Sequence, residues 1–241
     1  MERDEALRSS FRYDLRPQHL GGLFKASDLV FVDESHMSKK EARRKIGRSR
    51  RGKIDFQKRY KSCGEGAGCS SIAAFSIEGI QAVHVTEGGT VNSDIFMDVL
   101  NSEILPTMNA YGSGLPRSVL CLDNAAIHLK LQIIAACQQK GVLVLFLPPY
   151  SYDFNPIEKF FHQAKAYVRR VWPSDNHNVL VSERLRQALW ESGTALNAIG
   201  YFRNAHIYVS PQEEAWVRCR MLKDIVLTFP GTLTFVHSKI N

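Results

Sequence analysis

The sequence predicts an α/β protein, and two observations support that prediction. Short apolar runs bounded by turn residues alternate along the chain with longer stretches that have helical hydrophobic spacing. The 241 residues contain 44% hydrophobic side chains, which is enough to build a sizeable core. Acidic residues close two of the strand-like runs, so we expect polar chemistry at an edge of the predicted sheet.

The first predicted strand is the apolar run Leu29 to Val32. It ends in an acidic pair, as expected of a buried central strand with a catalytic residue, Asp33, at its exit. The adjacent Glu34 would point to the opposite face if the strand continued. We therefore predict a supporting or solvent-facing role for Glu34 rather than metal ligation.

The hydrophobic pattern then predicts a hairpin, two more strands and five helices. The hairpin turn contains Gly79, and one helix ends at Gly141. Helix starts are predicted at Asn92 or Ser93, at Asn155-Pro156 and at Ser182, because these residue types cap or open helices. The predicted segments are strands 70–75, 80–85, 119–122 and 142–147 and helices 92–108, 129–139, 155 onward, 182–190 and 213–223.

The net charge of +7 is concentrated in one segment. The segment from Lys39 to Lys61 contains twelve Lys or Arg residues and only two acidic residues, Glu41 and Asp55, so its net charge is +10. Such a run is typical of an arm or loop that binds a polyanion, and binding of this kind weakens steeply with salt. A solvated loop or a nuclear localisation signal is the alternative. The predicted nucleic-acid-binding residues are Lys39, Lys40, Arg43, Arg44, Lys45, Arg48, Arg50, Arg51 and Lys53.

Other features argue against secretion and membranes. The longest apolar runs are too short to span a bilayer, and the first residues form no apolar signal region. The five cysteines lack CxxC spacing, so we predict reduced thiols rather than disulfides or a zinc site.

Three acidic residues are the candidate catalytic centre: Asp33, Asp123 and Glu158, the last two with 34 residues between them. A lone Asp after a strand is more often a turn or a cap. Together, such carboxylates suit hard divalent cations, because Mg²⁺ takes oxygen ligands and commonly acts on phosphates.

Three motifs give these acids a specific context: FVDES at 31–35, CLDNAAIH at 121–128 and LPPYSYDFNPIEKFF at 147–161. In this order and spacing they resemble the signature of mariner-like and insertion-sequence transposases, which belong to the DDE superfamily of endonucleases. The resemblance covers roughly residues 28–202. It implies a ribonuclease H-like fold, a mixed central sheet with helices on both faces, in which the first and fourth strands are neighbours.

The resemblance also implies roles for individual residues. Asp33, Asp123 and Glu158 would be the catalytic residues and would bind two Mg²⁺ or Mn²⁺ ions for cleavage and strand transfer in DNA transposition. Asn124 and His128 lie beside the site in the motif and would orient a ligand or approach a phosphate, or make a structural hydrogen bond. Asp153 competes for the third ligand position; we favour Glu158, because the family pattern places the ligand in the helix and Asp153 in the preceding turn, where Asp is a natural turn former.

The resemblance further predicts the organisation and partners. Residues 1–27 leave no room for a complete helix-turn-helix module, residues 28–209 are the catalytic domain, and residues 210–241 are an extension of unknown role. Tyr152 stands where the family pattern has proline. The expected partners are transposon-end and target DNA and a second copy of the chain, with no membrane; the expected location is nuclear in a eukaryote and otherwise cytoplasmic.

Two other functions stay open. One is a truncated or domesticated transposase derivative that binds DNA without productive cleavage. The other is a different ribonuclease H-like nuclease that acts on RNA hybrids or junctions. Glu at the third acidic position and its PPYSYDFNPIE context favour the transposase branch.

Overall fold

The computed structural model describes residues 4–42, 50–53, 68–88, 90–123, 130–171 and 180–228. These ranges contain a five-stranded sheet and helices of 4 to 18 residues. The strands are β1 (Leu29–Met37), β2 (Cys69–Ser76), β3 (Gly79–Glu87), β4 (Val119–Leu122) and β5 (Leu143–Phe146). The α-helices are α1 (Glu5–Asp14), α2 (Lys39–Ala42), α3 (Ser93–Val99), α4 (Lys130–Lys140), α5 (Pro156–Val171), α6 (Val181–Ser192), α7 (Ala195–Asn204) and α8 (Pro211–Thr228).

The sheet has the strand order β3-β2-β1-β4-β5, with β1 in the centre. On one side β1 pairs antiparallel with β2, which pairs antiparallel with β3. On the other side β1 pairs parallel with β4, which pairs parallel with β5. This mixed sheet, with its first and fourth strands adjacent, confirms the predicted ribonuclease H-like fold.

Helices cover both faces because successive side chains of a strand point to opposite sides. Leu29 and Phe31 of β1 belong to one apolar cluster, together with residues of α1, α5, α6 and α7. Val30 and Val32 belong to a second cluster, formed with α3 and α4. Aromatic rings join the layers of the first cluster: Phe31 packs edge-on against Phe202, with ring centroids 5.6 Å apart.

Three sequence predictions need correction. The first strand does not end at Val32, because its antiparallel partner β2 carries the pairing on to Met37 while the parallel partner β4 stops at Leu122. The strand β5 is an edge strand and is not deeply buried; Leu143 is 39% exposed. Ser182 is not a helix cap: α6 begins at Val181 with Leu180 in the cap position.

Other helix boundaries agree with the sequence rules. The side chain of Asn92 caps α3 by accepting a 2.8 Å hydrogen bond from the Ile95 amide. Pro156 is the first residue of α5, and Glu158 lies in its first turn, as predicted. After α4 the chain turns at Gly141, whose φ of 75° is the left-handed conformation that favours glycine.

The segments on either side of residues 28–209 pack on the same core. Phe11 of α1 and Val217 of α8 both belong to the first apolar cluster. The backbone amide of Ser27 also donates a 2.9 Å hydrogen bond to Glu213 at the start of α8. None of the helices that the structure describes is long and apolar enough to cross a bilayer.

Candidate active site

The sheet itself brings Asp33 and Asp123 together. The parallel register pairs Phe31 with Cys121 and Val32 with Leu122, so Asp33 and Asp123 follow as the next opposed pair. Neighbouring strands are about 4.8 Å apart, which places the two α-carbons side by side. Asp33 lies within β1, and Asp123 is the first residue after β4. The two acids meet where the parallel pairing ends.

Asn155 brings the start of α5 to the same place. Its buried side-chain amide donates a 2.9 Å hydrogen bond to Oδ2 of Asp33. Its backbone carbonyl accepts a 3.3 Å hydrogen bond from the amide of Glu158. The single residue Asn155 therefore connects Asp33 on the sheet with Glu158 on the helix, and the exposed Glu158 side chain extends from this anchored turn.

The electrostatics of Asp33 reflect its burial and the negative charges near it. The pKa of the Asp33 carboxyl is raised to about 7, chiefly by burial and in addition by the negative charges of Asp123, Glu158 and Glu34. The backbone amide of Glu34 opposes this rise by donating a 2.7 Å hydrogen bond to Oδ1. Desolvation and then Asp123 also raise the pKa of Glu34.

The donor set suits a hard divalent cation in its chemistry. Carboxylate oxygens are the ligands that Mg²⁺ and Mn²⁺ prefer, and a cation would offset both the burial and the repulsion that raise the pKa of Asp33. In the described parts of the chain, no three Asp, Glu, His or Cys side chains converge closely enough to hold a metal ion as they stand. The side chains fit a divalent ion by type and charge, and ion binding would require them to draw together.

Asp153, the alternative to Glu158 as the third ligand, pairs with an arginine instead. Arg8 of α1 is fully buried and donates two hydrogen bonds to its carboxylate, of 2.9 Å to Oδ1 and 2.7 Å to Oδ2. This hydrogen-bonded carboxylate is the first cause that raises the pKa of the Arg8 guanidinium. A carboxylate held by a bidentate Arg pair is unsuited to leave for a metal ion. The contact supports the choice of Glu158 over Asp153.

Arg8 also fixes the remainder of the turn before α5. It donates a 2.7 Å hydrogen bond to the hydroxyl of Ser151, and its guanidinium lies 4.2 Å from the ring centroid of Phe154. Phe154 in turn stacks on Phe11 of α1, with centroids 5.5 Å apart. We call this set, Arg8, Ser151, Asp153 and Phe154, the arginine clamp.

The other predicted site residues are only partly described. Asn124, His128, Arg43, Arg44, Lys45 and Arg48 lie outside the described residues. Lys39 and Lys40 open α2, and their side chains also lie outside the description. Arg50, Arg51 and Lys53 are exposed, and the amide of Lys53 bonds to the carbonyl of Arg50 in a tight turn.

Sequence reasoning missed two residues of the site, Arg8 and the side chain of Asn155. Asn155 was identified only as a helix cap. The helix that carries Arg8 does have a local signal: Asp4 caps it by accepting hydrogen bonds from the amides of Ala6 and Leu7, and Phe11 and Leu15 follow at helical spacing. The partners of Arg8 in the turn before α5 lie more than 140 positions away, so no local pattern identifies them.

Comparison with known proteins places these motifs in a family context. The sequence profile described as DDE superfamily endonuclease matches residues 28–180, more than half of the chain, and the match includes Asp33, Asp123 and Glu158. No curated protein sequence matches the chain.

Several solved structures are similar. The Mos1 mariner paired-end complex with Mn is 14% identical, with 87% of this chain and 65% of that chain covered and a TM-score of 0.49. The isolated catalytic domain of Mos1 mariner transposase is 14% identical over 87% and 98% of the two chains, with a TM-score of 0.45. An intasome of simian T-cell lymphotropic virus is 18% identical over 70% and 49%, with a TM-score of 0.41. The chain thus spans 65% of the first of these proteins and about half of the viral one.

Proposed function

The chain belongs to the DDE superfamily endonuclease family, and from this premise we propose that it acts as a transposase-type DNA endonuclease. The observation that carries the proposal is that three elements bring three acids to the same end of the sheet. Asp33 and Asp123 are adjacent across parallel strands, and Asn155 ties the helix of Glu158 to Asp33. We propose these three acids as the catalytic residues and metal ligands.

The protein's own contribution is to hold the carboxylates in place. Asp33 is held at both oxygens, by the Glu34 amide and by Asn155, so its orientation is fixed before substrate arrives. Asp123 leaves β4 beside it, and Glu158 is presented on the first turn of α5. When bound by such carboxylates, two Mg²⁺ or Mn²⁺ ions supply the Lewis acidity that activates water and stabilises a leaving oxygen.

The proposed reaction has two stages. Water attacks a DNA phosphorus atom and the bond to the 3′ oxygen breaks, which leaves a 3′ hydroxyl and a 5′ phosphate. In strand transfer that 3′ hydroxyl attacks a phosphodiester of target DNA, and the displaced 3′ oxygen leaves with a proton. Both stages exchange one phosphorus–oxygen bond for another, so one set of acids serves both.

The test is metal-dependent nicking of supercoiled DNA by the purified chain. We expect Asp123→Asn to lower the nicking rate at least 100-fold in Mg²⁺ or Mn²⁺, whereas Asp98→Asn, which changes an exposed acid of α3, leaves the rate unchanged. Equal nicking by the wild type and Asp123→Asn would refute the assignment. A panel of DNA duplexes, RNA hybrids and junctions separates a transposase-type enzyme from another ribonuclease H-like nuclease.

A second function, DNA binding without cleavage, is favoured by the basic segment. Its described residues Arg50, Arg51 and Lys53 are exposed in a chain of net charge +7. This function predicts salt-sensitive, sequence-indifferent binding with no metal-dependent nicking, so the same assay distinguishes the two.

The partners and location belong to the same proposal. The resemblance to transposases supports transposon-end and target DNA as substrates, a homodimer as the working unit, and a nuclear location in a eukaryotic cell or a cytoplasmic one otherwise. Sedimentation with and without DNA measures the oligomeric state. A purely monomeric complex with DNA would contradict the dimer.

A further inference from the structure

The turn between β5 and α5 displays two tyrosine rings to solvent. Tyr150 is 59% exposed and Tyr152 is 74% exposed. The residues around them face inward: Ser151 and Phe154 are buried, and Asp153 is paired with Arg8. Since the two rings bury little apolar surface, they contribute little to the stability of the fold.

Both ends of this turn contact the acidic site. At its start the amide of Leu147 donates a 2.8 Å hydrogen bond to the carbonyl of Leu122, the residue before Asp123. At its end Asn155 donates its hydrogen bond to Asp33. The two tyrosines are therefore carried on a short segment that borders the proposed point of DNA cleavage.

The arginine clamp makes the turn a rigid support. Arg8 holds Ser151, Asp153 and Phe154 from beneath, through three hydrogen bonds and one ring contact. A support that is ordered before a ligand arrives loses little conformational entropy on binding. The outward-facing rings are thus presented in a fixed place.

Tyr150 also adopts a strained backbone conformation. Its φ is 55°, in the left-handed region that costs a non-glycine residue about 1 kcal/mol or more. Because the Tyr150 side chain is mostly in solvent, packing of the ring does not compensate for this backbone strain. Strain of this kind next to a reactive site points to a ligand contact.

We propose that Tyr152, together with Tyr150, forms a stacking site for an unpaired nucleobase next to the scissile phosphate. Aromatic rings bind bases of any sequence through their faces. The exposed guanidinium of Arg12 lies 4.9 Å from the ring centroid of Phe154 in the same turn. Its positive charge would attract the phosphate backbone next to the stacked base. The inference rests on the proposed function, because it requires that DNA bound at the acidic site has unpaired bases next to the phosphate that is cleaved.

The test is DNA binding in EDTA, without cleavage. Two DNA molecules of the same sequence are compared: a blunt duplex, and one with splayed single-stranded ends that carry the fluorescent base 2-aminopurine. We expect the wild type to bind the splayed DNA more tightly and to quench the fluorescence. Tyr152→Ala should weaken binding to splayed DNA about 10-fold and remove most of the quenching, whereas Tyr152→Phe should keep both.

A matched control is Tyr111→Ala. Tyr111 is 46% exposed, and its amide bonds to the carbonyl of Gly141 just before β5, at the opposite end of the parallel strands. This variant should bind both DNA molecules as the wild type does. Tyr150→Gly should weaken binding to splayed DNA while melting at an equal or higher temperature, because glycine relieves the positive φ.

Two results would overturn the stacking site. One is unchanged affinity and quenching in the Tyr150→Ala/Tyr152→Ala double variant. The other is an equal loss of affinity for blunt and splayed DNA, which would mean that the tyrosines contact only the backbone. Failure of the proposed function appears separately, as absent nicking in Mg²⁺ with base stacking in EDTA intact.

Discussion

Asp33 holds its carboxylate in an environment that disfavours charge. Burial and three neighbouring acids raise its pKa to about 7. An isolated buried acid would relieve this by taking a proton, but a carboxylate that must act on phosphates has to be ionised. The raised pKa therefore means that the ionised carboxylate, which the proposed chemistry needs, destabilises the folded protein.

The first prediction follows from that conflict. The folded pKa of Asp33 lies above its unfolded value, so its contribution to stability is complete at low pH and is lost as the pH rises through about 7. Asp33→Asn removes the charge, and a flip of Asn155 can offer its buried, unpaired Oδ1 to the new amide. In EDTA at pH 8 we expect the variant to be more stable by about 2 kcal/mol.

Thermal melting between pH 4 and pH 8 checks this prediction. The stability difference between Asp33→Asn and the wild type should shrink below pH 7 and vanish near pH 4. Nicking should be abolished at every pH. Identical melting curves at pH 8 would contradict the energetic account of Asp33.

At the scale of elements, α1 is joined to the turn before α5 by the arginine clamp. Arg8 is completely buried, while the Asp153 side chain is 33% exposed. Removing one member of a buried pair leaves the other without its partner, which is more damaging than removing both. The clamp therefore connects the N-terminal helix with the segment that leads to Glu158.

The second prediction concerns this contact. Arg8→Met should destabilise the protein by about 3 kcal/mol in urea unfolding, because it removes the two hydrogen bonds to Asp153 and the one to Ser151. The double variant Arg8→Met/Asp153→Leu should recover part of that loss. A double variant less stable than Arg8→Met alone would contradict this expectation.

The hairpin of β2 and β3 meets the α6–α7 junction at Gly79. Gly79 has a φ of 100°, and the amide of Ile80 donates a 2.9 Å hydrogen bond to the carbonyl of Gly193. A Cβ added at Gly79 would overlap that same carbonyl oxygen. By contrast, Gly112 has a φ of 82° with nothing near its would-be Cβ.

The third prediction uses these two glycines as a matched pair. Gly112→Ala should cost about 1 kcal/mol, the strain of a positive φ alone. Gly79→Ala should lower the free energy of unfolding by about 3 kcal/mol. In this variant the strain of the positive φ is added to a clash of the new Cβ with backbone that cannot move freely. Urea unfolding of both variants measures the difference, and equal losses would rule out the clash.

Across the chain as a whole, the positive charge is concentrated in one segment of the sequence. The segment 39–61 has a net charge of +10, whereas the whole chain has a net charge of +7. The rest of the chain is therefore slightly acidic. Such asymmetry orients a polyanion and makes its binding sensitive to salt.

The fourth prediction tests whether this segment binds DNA. If Arg50 and Arg51 contact phosphates, Arg50→Gln/Arg51→Gln should reduce the slope of log K against log salt for duplex DNA by about 2. The control Lys140→Gln/Arg186→Gln removes the same charge from exposed sites on α4 and α6 and should leave the slope unchanged. Equal slopes in the two double variants would place the phosphate contacts outside Arg50 and Arg51.

Features that depend on near neighbours along the chain follow from the sequence alone. Asn92 as a cap, Pro156 at a helix start and Gly141 at a helix end follow from local backbone chemistry. The motifs identified the three acids and, through the resemblance, the fold, because side-chain type and spacing are written along the chain.

Contacts between distant segments, in contrast, are visible only in the folded structure. The continuation of β1 to Met37 required β2 as a partner, and the exposure of β5 required its place at the sheet edge. The contacts of Asn155 with Asp33 and of Arg8 with Asp153 cross 122 and 145 positions. Such pairs depend on how the elements pack in three dimensions, and that packing decides which carboxylate is held by arginine and which is presented at the acidic site.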